Sequence, residues 1–204
     1  MNDTQIRQSF HRKRLHKHHA DPNTLIIDEL GLKHGKCRAD IAVINSHLTG
    51  YEIKSDEDSL CRLDKQIETY SKVFDQATVV ASAKHVDVVS SSVPDWWGII
   101  VTHQGYRGNI SFETLRKPSM NREIDLLSVA QLLWSNEASS ILINLGVPQR
   151  VLRQRRAFLY QSLVDLLSAS DLRSRVRECL KNRRNWRCRV QPSPNGGLSQ
   201  PFAK

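Results

Sequence analysis

Three side chains in the first third of the chain have the types and spacing to do chemistry: Asp40, Glu52 and Lys54. Read at strand period, Glu52 and Lys54 lie two residues apart and share one face of the pleat, while Tyr51 and Ile53 point the other way, into a core. Asp40 opens the apolar run Ile41–Ile44, which reads as a fully buried strand. Eleven residues lie between Asp40 and Glu52, enough for a strand, a short turn within Asn45–Gly50 and a return. Such a hairpin sets Asp40 opposite Glu52, two carboxylates with an amine beside them. Paired carboxylates can hold a hard divalent cation that polarises a phosphate and acidifies its bound water. A lysine beside them can sit near that water or the negative charge that develops.

One turn of helix adds to the set. After Lys54 the acidic stretch Ser55–Ser59 suits a helix N-terminus, and the spacing of Leu60, Leu63, Ile67 and Phe74 predicts a helix over 59–75. Gln66 and Tyr70 lie one turn apart on it. An Asp, then Glu-x-Lys after a hairpin-length gap, then Gln-x-x-x-Tyr on the next helix resembles the PD-(D/E)XK nuclease superfamily, in its RecB-like branch. The proline of the motif is missing, because Ala39 precedes Asp40. The resemblance implies a Mg²⁺- or Mn²⁺-dependent nuclease that hydrolyses phosphodiester bonds of nucleic acid, DNA in the first instance. It implies Asp40 and Glu52 as metal ligands, Glu29 as an additional acid, Lys54 as the positioning amine, and Gln66 and Tyr70 as its supports. The alternative is a catalytically silent protein of the same fold that binds DNA without cutting it; a third class is a helical adaptor whose arginines face an acidic protein.

Charge is distributed unevenly. Of 30 Lys+Arg against 21 Asp+Glu, giving +9 overall, residues 1–125 hold 17 of each sign and residues 126–204 hold 13 basic against 4 acidic. Between Arg150 and Arg189 there are 12 basic residues and 3 acids. That bias points to a polyanion partner. Arg150 and Arg153 open one helix, Arg155 and Arg156 follow, and Arg173, Arg177, Lys181 and Arg184 recur at helical spacing on another; these residues are expected to meet phosphates. The four cysteines, Cys37, Cys61, Cys179 and Cys188, have no zinc-type spacing and are expected to be reduced thiols. No apolar run approaches membrane-spanning length and no secretion signal is visible, so a cytoplasmic protein is expected.

The elements that must position these residues follow from pattern. Residues 4–19 predict a basic helix with Asp3 as N-cap and Ile6, Phe10 and Leu15 as its apolar stripe; its histidines 11, 16, 18 and 19, interleaved with Arg and Lys, read as a solvated or phosphate-facing surface. Residues 24–32 predict a strand in which Ile27 and Glu29 share a face. Residues 77–82 predict a buried strand, 84–90 a helical turn, the stretch from Trp96 another strand with His103 at its end, and 106–115 an edge strand. From Asn121 the pattern is helical, with a stop at Gly146, a start at Pro148 and a last helix over 171–186. The order is the αβββαβ core of the restriction-endonuclease-like fold, an α/β class, with a C-terminal helical basic extension. The expected units are a nuclease domain over 1–118, a helical basic region over 119–190 and a disordered tail over 191–204.

Overall fold

The computed structural model describes residues 1–183. Six strands form one sheet in the order β1-β2-β3-β4-β5-β6: β1 Leu25–Leu32, β2 Cys37–Ile44, β3 Leu48–Lys54, β4 Gln76–Ser82, β5 Gly98–Gln104 and β6 Ile110–Arg116. β1, β2 and β3 are antiparallel neighbours, β3, β4 and β5 run parallel, and β6 returns antiparallel on the edge. The carboxyl ends of β1, β3, β4 and β5 and the amino ends of β2 and β6 therefore share one end of the sheet.

Alternation along the strands supplies two apolar faces. Ile41 and Val43 of β2, Ile53 of β3, Val80 of β4 and Ile100 of β5 pack under α1 (Asp3–Lys13) through Ile6 and Phe10. Ala42, Ile44, Val79 and Ala81 face the opposite way, onto α3 (Leu63–Ser71) and the C-terminal helices. Those helices are α5 (Leu126–Ala130), α6 (Ser135–Asn144), α7 (Gln149–Leu152), α8 (Arg156–Leu166) and α9 (Ala169–Asn182); α2 (His16–Ala20) follows α1, and α4 (Val86–Ser92) joins β4 to β5. Leu159, Leu163, Leu172, Val176 and Leu180 belong to the same apolar cluster as the sheet, so the basic helices share its core.

The expected strands are present, with shifts that have local causes. The basic helix is two helices, and its cap is Asn2 rather than Asp3: the Asn2 side chain accepts the Gln5 N–H while Gln5 reaches back to the Asn2 N–H. The helix expected over 59–75 spans only Leu63–Ser71, because residues 55–62 turn around Asp58, which accepts the Ser55 N–H and hydroxyl. The long helical pattern after Asn121 is cut where Trp134 and Glu137 build a new helix start. The last helix begins at Ala169, two residues before the expected start, behind the N-cap Ser168, whose hydroxyl accepts the Asp171 N–H. Residues 184–204, including Arg184, Cys188 and the expected tail, lie outside the described residues.

One glycine is required by packing. Gly50 lies inside β3, and a Cβ there would come 2.7 Å from the ring of Phe74, which seals the apolar core beside Tyr70.

Candidate functional site

The residues singled out in the sequence meet at the shared end of the sheet, in a cleft of about 760 Å³. Ile41 pairs with Tyr51, which sets Asp40 opposite Glu52 one step beyond the ladder. Glu52 and Lys54 are 1% and 2% exposed, on the face of β3 that looks at α3. Lys54 Nζ donates to Glu52 Oε1 at 2.8 Å and to Gln66 Oε1 at 2.8 Å, and Gln66 Nε2 donates back to Glu52 Oε1. The Tyr70 hydroxyl donates to Glu52 Oε2 at 2.6 Å. The spacing thus brings Asp40, Glu52, Lys54, Gln66 and Tyr70 into one hydrogen-bonded group.

Glu29 belongs to it differently from what strand alternation predicts. Its backbone sits at φ 58°, in the left-handed region, and the ladder between β1 and β2 runs from Asp28–Ile41 to Leu30–Ala39 without pairing Glu29 to Asp40. The inward residues are consequently Ile27, Leu30 and Leu32, and Glu29 does not share the face of Ile27. The interrupted pair leaves backbone groups that must be satisfied in another way. Asp40 N–H donates to the Tyr70 hydroxyl at 3.2 Å, and Asp40 C=O accepts from Arg7.

Arg7, on α1, has no motif to announce it. Its guanidinium is 13% exposed and meets three carboxylates, Asp3 at 3.2 Å, Asp40 at 3.2 Å and Glu29 at 3.0 Å. Burial disfavours its charge, but Asp40, Asp3 and Glu29 outweigh that and raise its pKa. The Asp40 carboxyl is pushed up to about 7, first by burial and next by Glu52, against the Ile53 N–H it accepts at 2.7 Å and against Arg7. Burial also raises Glu52, opposed by Lys54 and Tyr70. A fixed cation therefore already stands between Asp40 and Glu29, the positions expected to share a metal. Among the described residues no group of three or more His, Cys, Asp or Glu is arranged to hold a metal ion.

A basic rim surrounds this floor. Lys36 and Arg38 follow the β1–β2 turn, Arg62 and Lys65 flank α3, and all four are exposed. His34 in that turn stacks on Tyr160 of α8, ring centroids 5.8 Å apart; burial, Arg156 and Lys36 together lower its pKa. Arg156, at the start of α8, acts on His34, and Arg150, Arg153 and Arg155 before it are exposed. Of the other arginines expected to face phosphate, Arg173 turns inward and ion-pairs with buried Asp75, while Arg177 and Lys181 are half-buried. His103 is exposed and pairs with Glu113 at 3.1 Å, outside the cleft. His11, expected on a solvated surface, is half-buried, with Asp28 at 2.9 Å and His19 at 3.0 Å. Cys37, Cys61 and Cys179 are unbridged, and no helix among the described residues is long and apolar enough to cross a membrane.

With that geometry in place, comparison with known proteins is decisive on ancestry. A family model described as Bacteriophage P4 protein cII matches residues 8–190. The chain belongs to that family. Protein cII of Enterobacteria phage P4 is 29% identical over 158 residues, covering 78% of this chain and 59% of that protein; the chain thus spans less than two thirds of its relative's length. No solved structure matches.

The match corrects the functional expectation. The span that carries Asp40, Glu52 and Lys54 is cII sequence, so membership of the PD-(D/E)XK nucleases, and with it a nuclease or magnesium-dependent hydrolase, is withdrawn. The physical reason the motif misled is that a two-residue strand period and a one-turn helix spacing fix where side chains point, not what they do there. In this site the lysine, the amide and the phenol spend their hydrogen bonds on Glu52, and Arg7 and Tyr70 repair the interrupted β1–β2 ladder. What is legible as a catalytic set is, in contacts, a closed polar network that fixes the end of the sheet.

Proposed function

We propose that this chain is a nucleic-acid-binding protein that acts by occupying its site and breaks no bond. The observation that carries the reading is the set of exposed cations Lys36, Arg38, Arg62 and Lys65 on the rim of the cleft, together with the exposed Arg150, Arg153, Arg155 and Arg156 of the α7–α8 segment. Exposed rim cations on a protein of net charge +9 fit a phosphate backbone, whose binding is driven by counterion release. The acidic floor is partly offset from within, Glu52 by Lys54, with Arg7 shared among Asp3, Glu29 and Asp40 and Arg38 also near Glu29. The αβββαβ succession and the strand order support reading the sheet as the restriction-endonuclease-like core, with Asp40, Glu52, Lys54, Gln66 and Tyr70 in an architectural role.

The test is the salt dependence of binding to a labelled duplex. Replacing Arg150, Arg153, Arg155 and Arg156 together with Gln should weaken binding and flatten the slope of log affinity against log salt by about two to four, at roughly 0.9 for each phosphate no longer neutralised. An unchanged slope in a folded variant rules this surface out.

A further inference from the structure

The hairpin joining β5 to β6 carries the most exposed large hydrophobic side chain among the described residues, Tyr106, at 87%. Its conformation is built. Arg107 at φ 59° and Gly108 at φ 75° both lie in the left-handed region, where a non-glycine residue is disfavoured by about 1–2 kcal/mol. The tip is held by the Gly105 N–H donating to Asn109 O at 2.7 Å. Lys13 of α1 ties it down further, donating to Asn109 Oδ1 and Ile110 O at 2.6 Å each. The Arg107 guanidinium carbon lies 5.5 Å from the Tyr106 ring centroid, so a cation accompanies the ring.

Resting on the reading of this protein as a nucleic-acid binder, we infer that Tyr106 stacks on an unpaired base of a single-stranded segment whose backbone crosses the same end of the sheet. Position supports this. The hairpin tip, Lys84 after β4, the mouth of the cleft at Lys54 and the Lys36–Arg38 turn all lie at that end, spread across the strand connections, and Lys84 and Arg107 are exposed. Of the acids at this end, Asp56 is engaged by the N-terminal ammonium, Asp58 by Ser55 and Glu29 by Arg7 and Arg38, and Glu57 is exposed. At about 4.8 Å per strand, the four intervals from the β1–β2 turn to the β5–β6 turn span roughly 19 Å. That length takes roughly five or six stacked nucleotides at about 3.4 Å each.

Chemistry selects the occupant. An aromatic ring beside an arginine is the platform on which unpaired bases stack, whereas bases within a duplex have both faces covered. A protein hot spot uses Tyr and Arg too, but seats them in a well-packed surround; here the ring stands 87% exposed on a tip of Gly105, Arg107, Gly108 and Asn109, anchored by Lys13.

The experiment is fluorescence anisotropy of labelled single-stranded and duplex DNA with the full chain, its Tyr106→Ala and Tyr106→Phe variants, and the four-arginine variant above. Tyr106→Ala should weaken single-strand binding roughly 5- to 100-fold, the range of one base stack, with duplex binding changed less than about twofold and the thermal midpoint unchanged. Tyr106→Phe keeps the ring and should restore binding. If Tyr106→Ala matches wild type on single strands while the four-arginine variant loses affinity, the inference falls, the binding reading stands, and the tip is left for a protein partner. Equal losses on single strand and duplex would make Tyr106 a backbone contact and also overturn it. If wild type binds neither DNA, both readings fail.

Discussion

Asp40 stores an electrostatic cost that can be read by titration. Its folded pKa of about 7 stands above the ordinary carboxyl value of 3.8, so between about pH 4 and 7 the folded protein holds a proton that the unfolded chain has released. Stability contributed at this residue is therefore present in acid and lost as pH rises through that window. Asp40→Asn abolishes the titration. The stability of the variant relative to wild type should rise steadily from about pH 4 to 7, by on the order of a few kcal/mol, in paired thermal or denaturant melts; a pH-independent gap would mean that burial and Glu52 do not hold the Asp40 carboxyl above its ordinary range. Arg7 is the complement. Arg7→Ala strands three carboxylates and the Asp40 carbonyl, and should cost about 2–4 kcal/mol; combining it with Asp40→Asn should cost clearly less than the two changes summed. The grouping of Asp40, Glu52, Lys54, Gln66 and Tyr70 was legible because period-2 and one-turn spacings are local. Arg7 was not, because its partners lie 22 and 33 positions away and nothing in its own neighbourhood points to them.

Among the elements, strands were read more closely than helices, for a physical reason. The strands carry short apolar runs such as Ile41–Ile44 and Ala77–Ala81 within seven or eight residues, whereas helix limits depend on caps such as Asn2 and Ser168 that compete with neighbouring polar residues. The alternation of β1 failed only at Glu29, where a positive φ reverses which side chains face inward, and residue type does not announce that. In α9 the spacing of Arg173, Arg177 and Lys181 was right, but the face they share flanks the buried Leu172, Val176 and Leu180 and does not stand opposite it. Arg173 therefore reaches Asp75, 98 residues earlier. Arg173→Gln should cost about 2–4 kcal/mol of stability, the penalty for leaving a buried carboxylate unpaired, and should leave the salt slope of DNA binding unchanged. A flattened slope would return Arg173 to the phosphate-binding set. Gly50→Ala, pressed against Phe74, should lower stability by about 1–3 kcal/mol through overpacking, visible as a lower thermal midpoint.

At the scale of the molecule, sheet and basic helices share one apolar core, and exposed cations, Lys36, Arg38, Arg62 and Lys65, rim the cleft at one end of the sheet. Composition revealed the excess of arginine but not the lysines and arginines that the β1–β2 turn and α3 add to it, since residues 1–125 are neutral in sum and only folding separates their paired charges from their exposed ones. The central claim is that this rim binds nucleic acid and that the Asp40–Glu52–Lys54 group beneath it holds the fold and does not cut. The most direct measurement incubates pure protein with end-labelled single-stranded and duplex DNA, with and without Mg²⁺ or Mn²⁺, and resolves each sample on native and denaturing gels. The expected result is a shifted complex on the native gel whose DNA runs at full length on the denaturing gel under every condition. Shortened DNA that appears with the metal and disappears in Glu52→Gln, or the absence of any shifted complex, would contradict the account.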